Sequence, residues 1–102
     1  MYYAKKISGH FKPAQKEAGL KMVSDFWNSN VNKVKGFKGF MLMLDSNDSL
    51  IATNITLWES KEDMDTYYSG DEHYFQVLHK IQQMMDSELE RSEYTVFEVT
   101  QG

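Results

Sequence analysis

Cysteine is absent from the 102 residues of this chain. That excludes a disulfide framework, a thiolate metal site and a cysteine nucleophile. Positive charge is scarce: 11 Lys and Arg stand against 15 Asp and Glu, a net charge of −4. A nucleic-acid binder carries a basic patch, so nucleic acid is not an expected partner. No stretch approaches the roughly 20 consecutive apolar residues of a membrane span, and the opening "MYYAKKISGH" lacks the apolar run of a signal peptide. A cytoplasmic protein without a membrane partner is the expectation, in which case the sequons at Asn47 and Asn54 carry no glycosylation meaning. No repeat, linker, phosphate loop, Ser-His-Asp set or zinc-ligand spacing is found. No metal is expected.

What is present suits one domain spanning 1–102. The chain is 41% hydrophobic and 14% aromatic, enough for a single compact core with little to spare. "YYAKKIS" (Tyr2 to Ser8) reads as a strand, and Pro13 suits a first helical turn. From Ala14 to about Val34, the residues Ala18, Met22, Val23, Phe26, Trp27 and Val31 recur at helical spacing. Gly36 provides a stop. "FMLMLDS" reads as a buried strand, and "DSNDS" (Asp45 to Ser49) is a polar turn that returns Leu50 to Trp58 as the second arm of a hairpin. Ser60 with Asp63 forms a capping-box pattern for a short helix through Tyr68, stopped at Ser69-Gly70. Asp71 caps the next helix, whose stripe is Tyr74, Val77, Leu78, Ile81, Met84 and Met85. "EYTVFEV" (Glu93 to Val99) closes the chain as a strand. The order predicts an α+β, ferredoxin-like β-α-β-β-α-(α)-β fold with helices on one face of an antiparallel sheet.

The second strand is apolar toward both faces: Phe40, Leu42 and Leu44 on one, Met41 and Met43 on the other. Helices cover only one. At roughly 1.5–3 kcal/mol per buried large apolar side chain, a wet second face forfeits several kcal/mol, comparable with the stability of a small domain. A two-fold homodimer is therefore expected. The third strand poses a different question. Leu50, Ala52, Asn54, Thr56 and Trp58 share one of its faces, and Asn54 stands where Val or Ile packs better. Its amide has a partner either inside the fold or arriving from outside.

"GFKGFMLMLDSNDSLIATNITLWESKEDMDTYYSGDEHYFQVL" resembles the core of the antibiotic biosynthesis monooxygenase-like domain, a dimeric α+β barrel. The matching features are the Gly-Phe run before the second strand, the strand ending "LWES", the helix "KEDMDTYY" and the segment "SGDEHYFQVL". The element order matches over about residues 1 to 100, the motifs over about 36 to 80. The family includes cofactor-independent monooxygenases of polycyclic phenols, quinol oxygenases and haem-degrading enzymes.

The resemblance implies a cofactor-free oxidation of a small planar aromatic, phenol- or quinol-like, in a mostly apolar cavity between helices and sheet. Asn54 and Trp58, about 13 Å apart at strand rise, are similar to an Asn–x3–Trp pair in the polyketide-oxidising members. There the amide holds a substrate oxygen and the indole stacks on, or bonds to, the ring. The plainer alternatives are an amide bonded to backbone or buried water and a tryptophan in core or dimer packing. Tyr67, with His73, Phe75 and His79, completes the expected pocket lining. A void of a few hundred Å³ beside Asn54 is what a small ligand requires.

Haem is the alternative cofactor. Haem-degrading members carry an axial histidine near the position of His79, in "VLHKI". Their first-strand Asn and short-helix Trp are absent here, where the strand is "YYAKKIS" and Tyr67 stands at the Trp position. By helical angle His79 falls about 150° from the apolar stripe, as an exposed residue does. His73 lies at a helix start, as a proton shuttle or a local packing residue, and His10 in a loop beside Phe11. The acidic run Glu59, Glu62, Asp63, Asp65, Asp71 and Glu72 reads as a solvated face. A non-catalytic binding module with a filled cavity is the third reading.

Overall fold

The computed structural model describes residues 1–30 and 33–100. Four strands form one antiparallel sheet: β1 (Tyr2–His10), β2 (Phe37–Leu44), β3 (Ile51–Trp58) and β4 (Glu90–Val96), in the order β2-β3-β1-β4. Between them run a 3-10 turn (Pro13–Gln15) and the helices α1 (Lys16–Asn30), α2 (Lys61–Gly70) and α3 (Glu72–Gln83). This is the expected ferredoxin-like α+β arrangement. Among the described residues, no helix is long and apolar enough to cross a membrane.

Local chemistry sets most of the boundaries. Ser60 Oγ accepts the Asp63 N–H at 3.1 Å and starts α2, and Asp71 Oδ1 accepts the Tyr74 N–H at 2.6 Å and starts α3. Each cap satisfies a backbone donor that the first helical turn leaves free. The hairpin turn is held by Asp45, whose Oδ2 accepts the N–H groups of Asn47 and Asp48, both at 2.9 Å. Gly36 has φ +79°, and a Cβ there would run into Asp63. Only glycine meets both demands without strain.

Several boundaries depart from expectation. The helix expected from Ala14 begins as the 3-10 turn and becomes α-helical only at Lys16; Val31, placed in its stripe, lies outside the described residues. β1 continues through His10, because β3 keeps pairing it as far as His10↔Ile51. β2 starts at Phe37 across an irregularity between Phe37 and Gly39. β4 runs Glu90–Val96 instead of Glu93 to Val99. Among the described residues its only neighbour is β1, where pairing ends at Tyr2↔Val96. Beyond that point the alternation "VFEV" has no strand to bond, and Phe97 is 94% exposed.

All three helices lie on one side of the sheet, over two hydrophobic clusters. The larger joins Phe26, Trp27, Phe37, Trp58, Met64, Tyr67 and Tyr74; the smaller joins Phe11, Ala52, Ile81 and Met85. Close packing of α1 over the smaller cluster depends on Gly19, where a Cβ would strike the Phe11 ring. The alternation predicted for β3 holds: Ala52, Thr56 and Trp58 are buried toward the helices. On the opposite face Met41 is 56% exposed in the single chain.

Candidate functional site

Asn54 sits in mid-strand, paired with Leu42 of β2 on one side and Ile7 of β1 on the other. Its side chain rises toward the helices at the junction of the two hydrophobic clusters. There it meets a cavity of about 60 Å³ walled by Ile7, Val23, Phe26, Tyr74, Val77 and Leu78, among others. A second void of about 40 Å³ lies on the side of Leu42, Ala52 and Met85, and Asn54 borders both. The Asn54 Oδ1 atom is buried and accepts no hydrogen bond from any described residue. An unpaired buried acceptor costs about 1–3 kcal/mol, and nearly all such groups in native proteins find a partner. The amide oxygen thus stands unpartnered among the described residues.

The cavity is smaller than the few hundred Å³ expected. Leu78, Ile81 and Leu89 fill part of the space between α3 and the sheet.

Trp58 occupies a different place from Asn54. Its side chain is 0% exposed, wedged between Phe37 (ring centroids 5.3 Å) and Tyr67 (5.4 Å), and it is not among the residues that wall the cavity. The indole N–H donates to Thr56 Oγ1 at 2.9 Å, and the Tyr68 hydroxyl meets the same oxygen at 2.7 Å. The shared strand face thus points both residues at the helices but does not bring them together on one void. Thr56, which sequence reasoning passed over, is the hub that satisfies the buried polar atoms of both aromatic residues. Its signal was the one that drew attention to Asn54, a polar residue on the buried face.

Tyr67 is buried in the aromatic cluster, and its hydroxyl accepts from Asn30 Nδ2 at 3.3 Å. Burial pushes its pKa well above the ordinary phenol value; the nearby Asp71 and Tyr74 add to this, and the Asn30 hydrogen bond opposes it. Burial likewise raises Tyr68 and pushes Tyr74 up to about 12, against the charge of Arg91. Near neutral pH all three are un-ionised phenols.

The remaining expected lining residues sit outside. His73 is exposed at the start of α3 with its ring edge-on to Phe26 at 5.1 Å. Phe75 is 42% exposed beside Tyr74. His79 is exposed and meets Gln83 at 3.2 Å. These residues do not fit a haem, because the histidine is on the solvent side of α3 and the internal cavity is far too small. His10 is the last residue of β1 rather than a loop residue. It bridges Asp86 (Nδ1 to Oδ2, 2.7 Å) and Asp48 (Nε2 to Oδ2, 3.2 Å).

No protein-family model matches the sequence, and no curated protein is significantly similar to it. Solved structures match it closely in shape. A proposed antibiotic biosynthesis monooxygenase from Nitrosomonas europaea superposes with a TM-score of 0.82 at 12% identity, covering 94% of this chain and 90% of that one. A conserved protein from Methanosarcina mazei gives 0.81 at 15% identity, over 92% and 91%. The ActVA-Orf6 monooxygenase of Streptomyces coelicolor, solved with nanaomycin D, gives 0.81 at 13% identity, over 98% and 91%. The chain has the fold that solved antibiotic biosynthesis monooxygenase proteins share.

Proposed function

We propose that this chain is a cofactor-independent monooxygenase of a small planar aromatic, phenol- or quinol-like, and that it works as a homodimer. The unpaired Asn54 Oδ1 at the edge of an apolar cavity carries the reading, because a substrate hydroxyl is the donor it lacks. The ring then lies in an apolar, water-poor space, where an electron-rich substrate supplies the electrons itself. A ring C–H and the phenolic O–H give up one hydrogen each; the ring carbon becomes a carbonyl with one oxygen atom of O₂, the phenol oxygen becomes the second carbonyl, and the other atom of O₂ leaves as water. The fold shared with named monooxygenases, one of them holding a small molecule, supports the same reading.

Tyr74 is the titratable residue on the cavity wall, and with its pKa near 12 it is no base at neutral pH. The substrate hydroxyl therefore keeps its proton, donated to Asn54, until oxygen reacts. Oxygen uptake with a panel of naphthoquinols and anthrones tests the reading. Wild-type protein is expected to exceed the uncatalysed rate, with Asn54→Leu about 10-fold or more slower, as loss of the one hydrogen bond that places the substrate hydroxyl implies. His79→Ala is expected to match wild type. Uptake at the background rate across the whole panel defeats the proposal. It would leave the non-catalytic module of the same fold, which the small cavity favours.

A further inference from the structure

Residues 86–89 link the end of α3 to the start of β4 and belong to neither element. Asp86, Ser87 and Glu88 are exposed, but Leu89 turns inward and walls both voids beside Asn54. It rests on β1 at Gly9, where a Cβ would come within 2.7 Å of Leu89 Cδ2. Gly9 also borders the surface recess of about 160 Å³ that Ser87, Glu88 and Glu90 line from outside. Leu89 thus stands as a stopper between recess and void.

Two side chains tie this strap down. Gln82 of α3 donates from Nε2 to the Ser87 carbonyl at 2.9 Å and accepts the Leu89 N–H on Oε1 at 3.1 Å. Glutamine does not titrate. His10 holds the near end: its carbonyl accepts the Asp86 N–H at 3.0 Å, and its Nδ1 meets Asp86 Oδ2 at 2.7 Å. The other ring nitrogen, Nε2, faces Asp48 Oδ2 at 3.2 Å. Asp48 is itself fixed in the hairpin turn, where its Oδ1 accepts the Leu50 N–H at 3.0 Å. An ionised carboxylate only accepts, so both ring contacts need an N–H, and the imidazolium alone has two. A neutral ring keeps one contact and sets a lone pair against the other carboxylate. Glu88 and Glu90 line the recess beside the ring and favour the cation too, while Asp45 is engaged with the Asn47 and Asp48 N–H groups. Lys12, the next cation along the chain, is turned to the Gln83 carbonyl at 3.0 Å. Desolvation opposes the charge on His10, yet Asp86 and Asp48 hold its pKa above the ordinary 6.5.

We infer that residues 86–89 form a pH-gated strap: protonated His10 latches Asp86 and seats Leu89 over the inner voids, and loss of that proton frees Leu89 to lift and open them to the recess. The inference goes beyond the oxygenase reading, since the latch works whatever the cavity takes. The strap moves between two fixed points. Met85 is 7% exposed and bridges Phe11, and Glu90 pairs with Ser8.

The chain has no cysteine, so Ala52→Cys places a single thiol on the wall of a void that Leu89 closes. Its rate of reaction with methyl methanethiosulfonate reads access to that void. Comparing two proteins at one pH cancels the ionisation of the thiol itself. At about pH 6, adding His10→Gln is expected to speed labelling about 10-fold, the scale of a lost hydrogen bond to a charged group. At about pH 8.5, where the native latch is itself released, the two rates should agree within about 2-fold. Leu89→Ala should speed labelling at both pH values. Rates flat in dilute urea mark a local opening, because unfolding of the whole domain is steep in urea. Exchange of the Leu89 amide reads the same opening without the cysteine: its protection, relative to that of β3 amides, should fall between the two pH values in wild type and not in His10→Gln. Labelling and exchange that His10→Gln leaves unchanged at about pH 6, or alters equally at both pH values, overturn the latch. Labelling that Leu89→Ala leaves unchanged, or that climbs steeply with urea, overturns the stopper. Neither result touches the oxygen-uptake test, which turns on Asn54.

Discussion

The two polar residues on the buried face of β3 behave in opposite ways. Thr56 is fully engaged: its Oγ1 receives the Trp58 N–H, meets the Tyr68 hydroxyl and reaches the Lys5 carbonyl at 3.5 Å. One hydroxyl offers one donor and two acceptor sites, so this geometry uses all three. Asn54, two residues earlier, leaves its oxygen unused. A polar side chain in the first situation is structural; in the second it is the one on which the proposed function rests. Thr56→Val keeps the shape but strips partners from two buried groups, each worth about 1–3 kcal/mol when left unpaired. Urea midpoints should show a loss of that size or its double, with Thr56→Ser close to wild type. A loss well below 1 kcal/mol would show that the hydroxyl is not the hub of this cluster.

At the scale of elements, the junction of β1, the β2–β3 turn and the chain after α3 is tied by His10. Its backbone carbonyl accepts the Asp86 N–H at 3.0 Å while its ring reaches Asp86 and Asp48. Glu88 and Glu90 line the same surface recess, so every acidic group nearby favours the imidazolium. Partial desolvation lowers the His10 pKa, but the hydrogen bonds and charges of Asp86 and Asp48 outweigh it, and the net shift is upward from 6.5. A raised folded-state pKa means that the stabilisation is complete below about pH 6.5 and fades as pH rises through the folded value. Wild-type protein should therefore lose stability between pH 6 and 8.5 by more than His10→Gln does. Equal slopes for the two proteins would dispose of this role. The same junction shows what could be read in the sequence. Caps such as Ser60 and Asp71, and the facing of β3, were legible because they depend on neighbours two to four residues away. The ends of β1 and β4 were not, since partner strands far along the chain set them. Asn54 stood out as a polar residue in an apolar run. Phe26 and Val77 did not, because helical spacing alone does not tell which stripe residues wall a cavity.

At the scale of the whole molecule, the sheet is covered on one side only. Pairing places Met41 beside Ile55, and Leu57 beside Ala4, which itself pairs with Tyr94. This apolar patch crosses all four strands on the face away from the helices. Met41 and Tyr94, the latter 47% exposed, are open to solvent in the single chain, as an interface residue in a separated protomer is. In the proposed homodimer, a two-fold axis through the patch would set identical apolar surfaces together. Lys6 is the one cation inside the patch, and it rests 5.9 Å from the Tyr94 ring, where the long stem packs while the charge reaches the edge. Light scattering at micromolar concentration is expected to return twice the chain mass for wild type. Ile55→Lys, which puts a second cation at the centre of each patch, is expected to return the chain mass with the helical circular dichroism retained. A wild-type protein that stays at one chain mass to roughly 100 µM, a weak-association regime, would mean that the sheet tolerates its apolar face in water and that the dimer is not the working form.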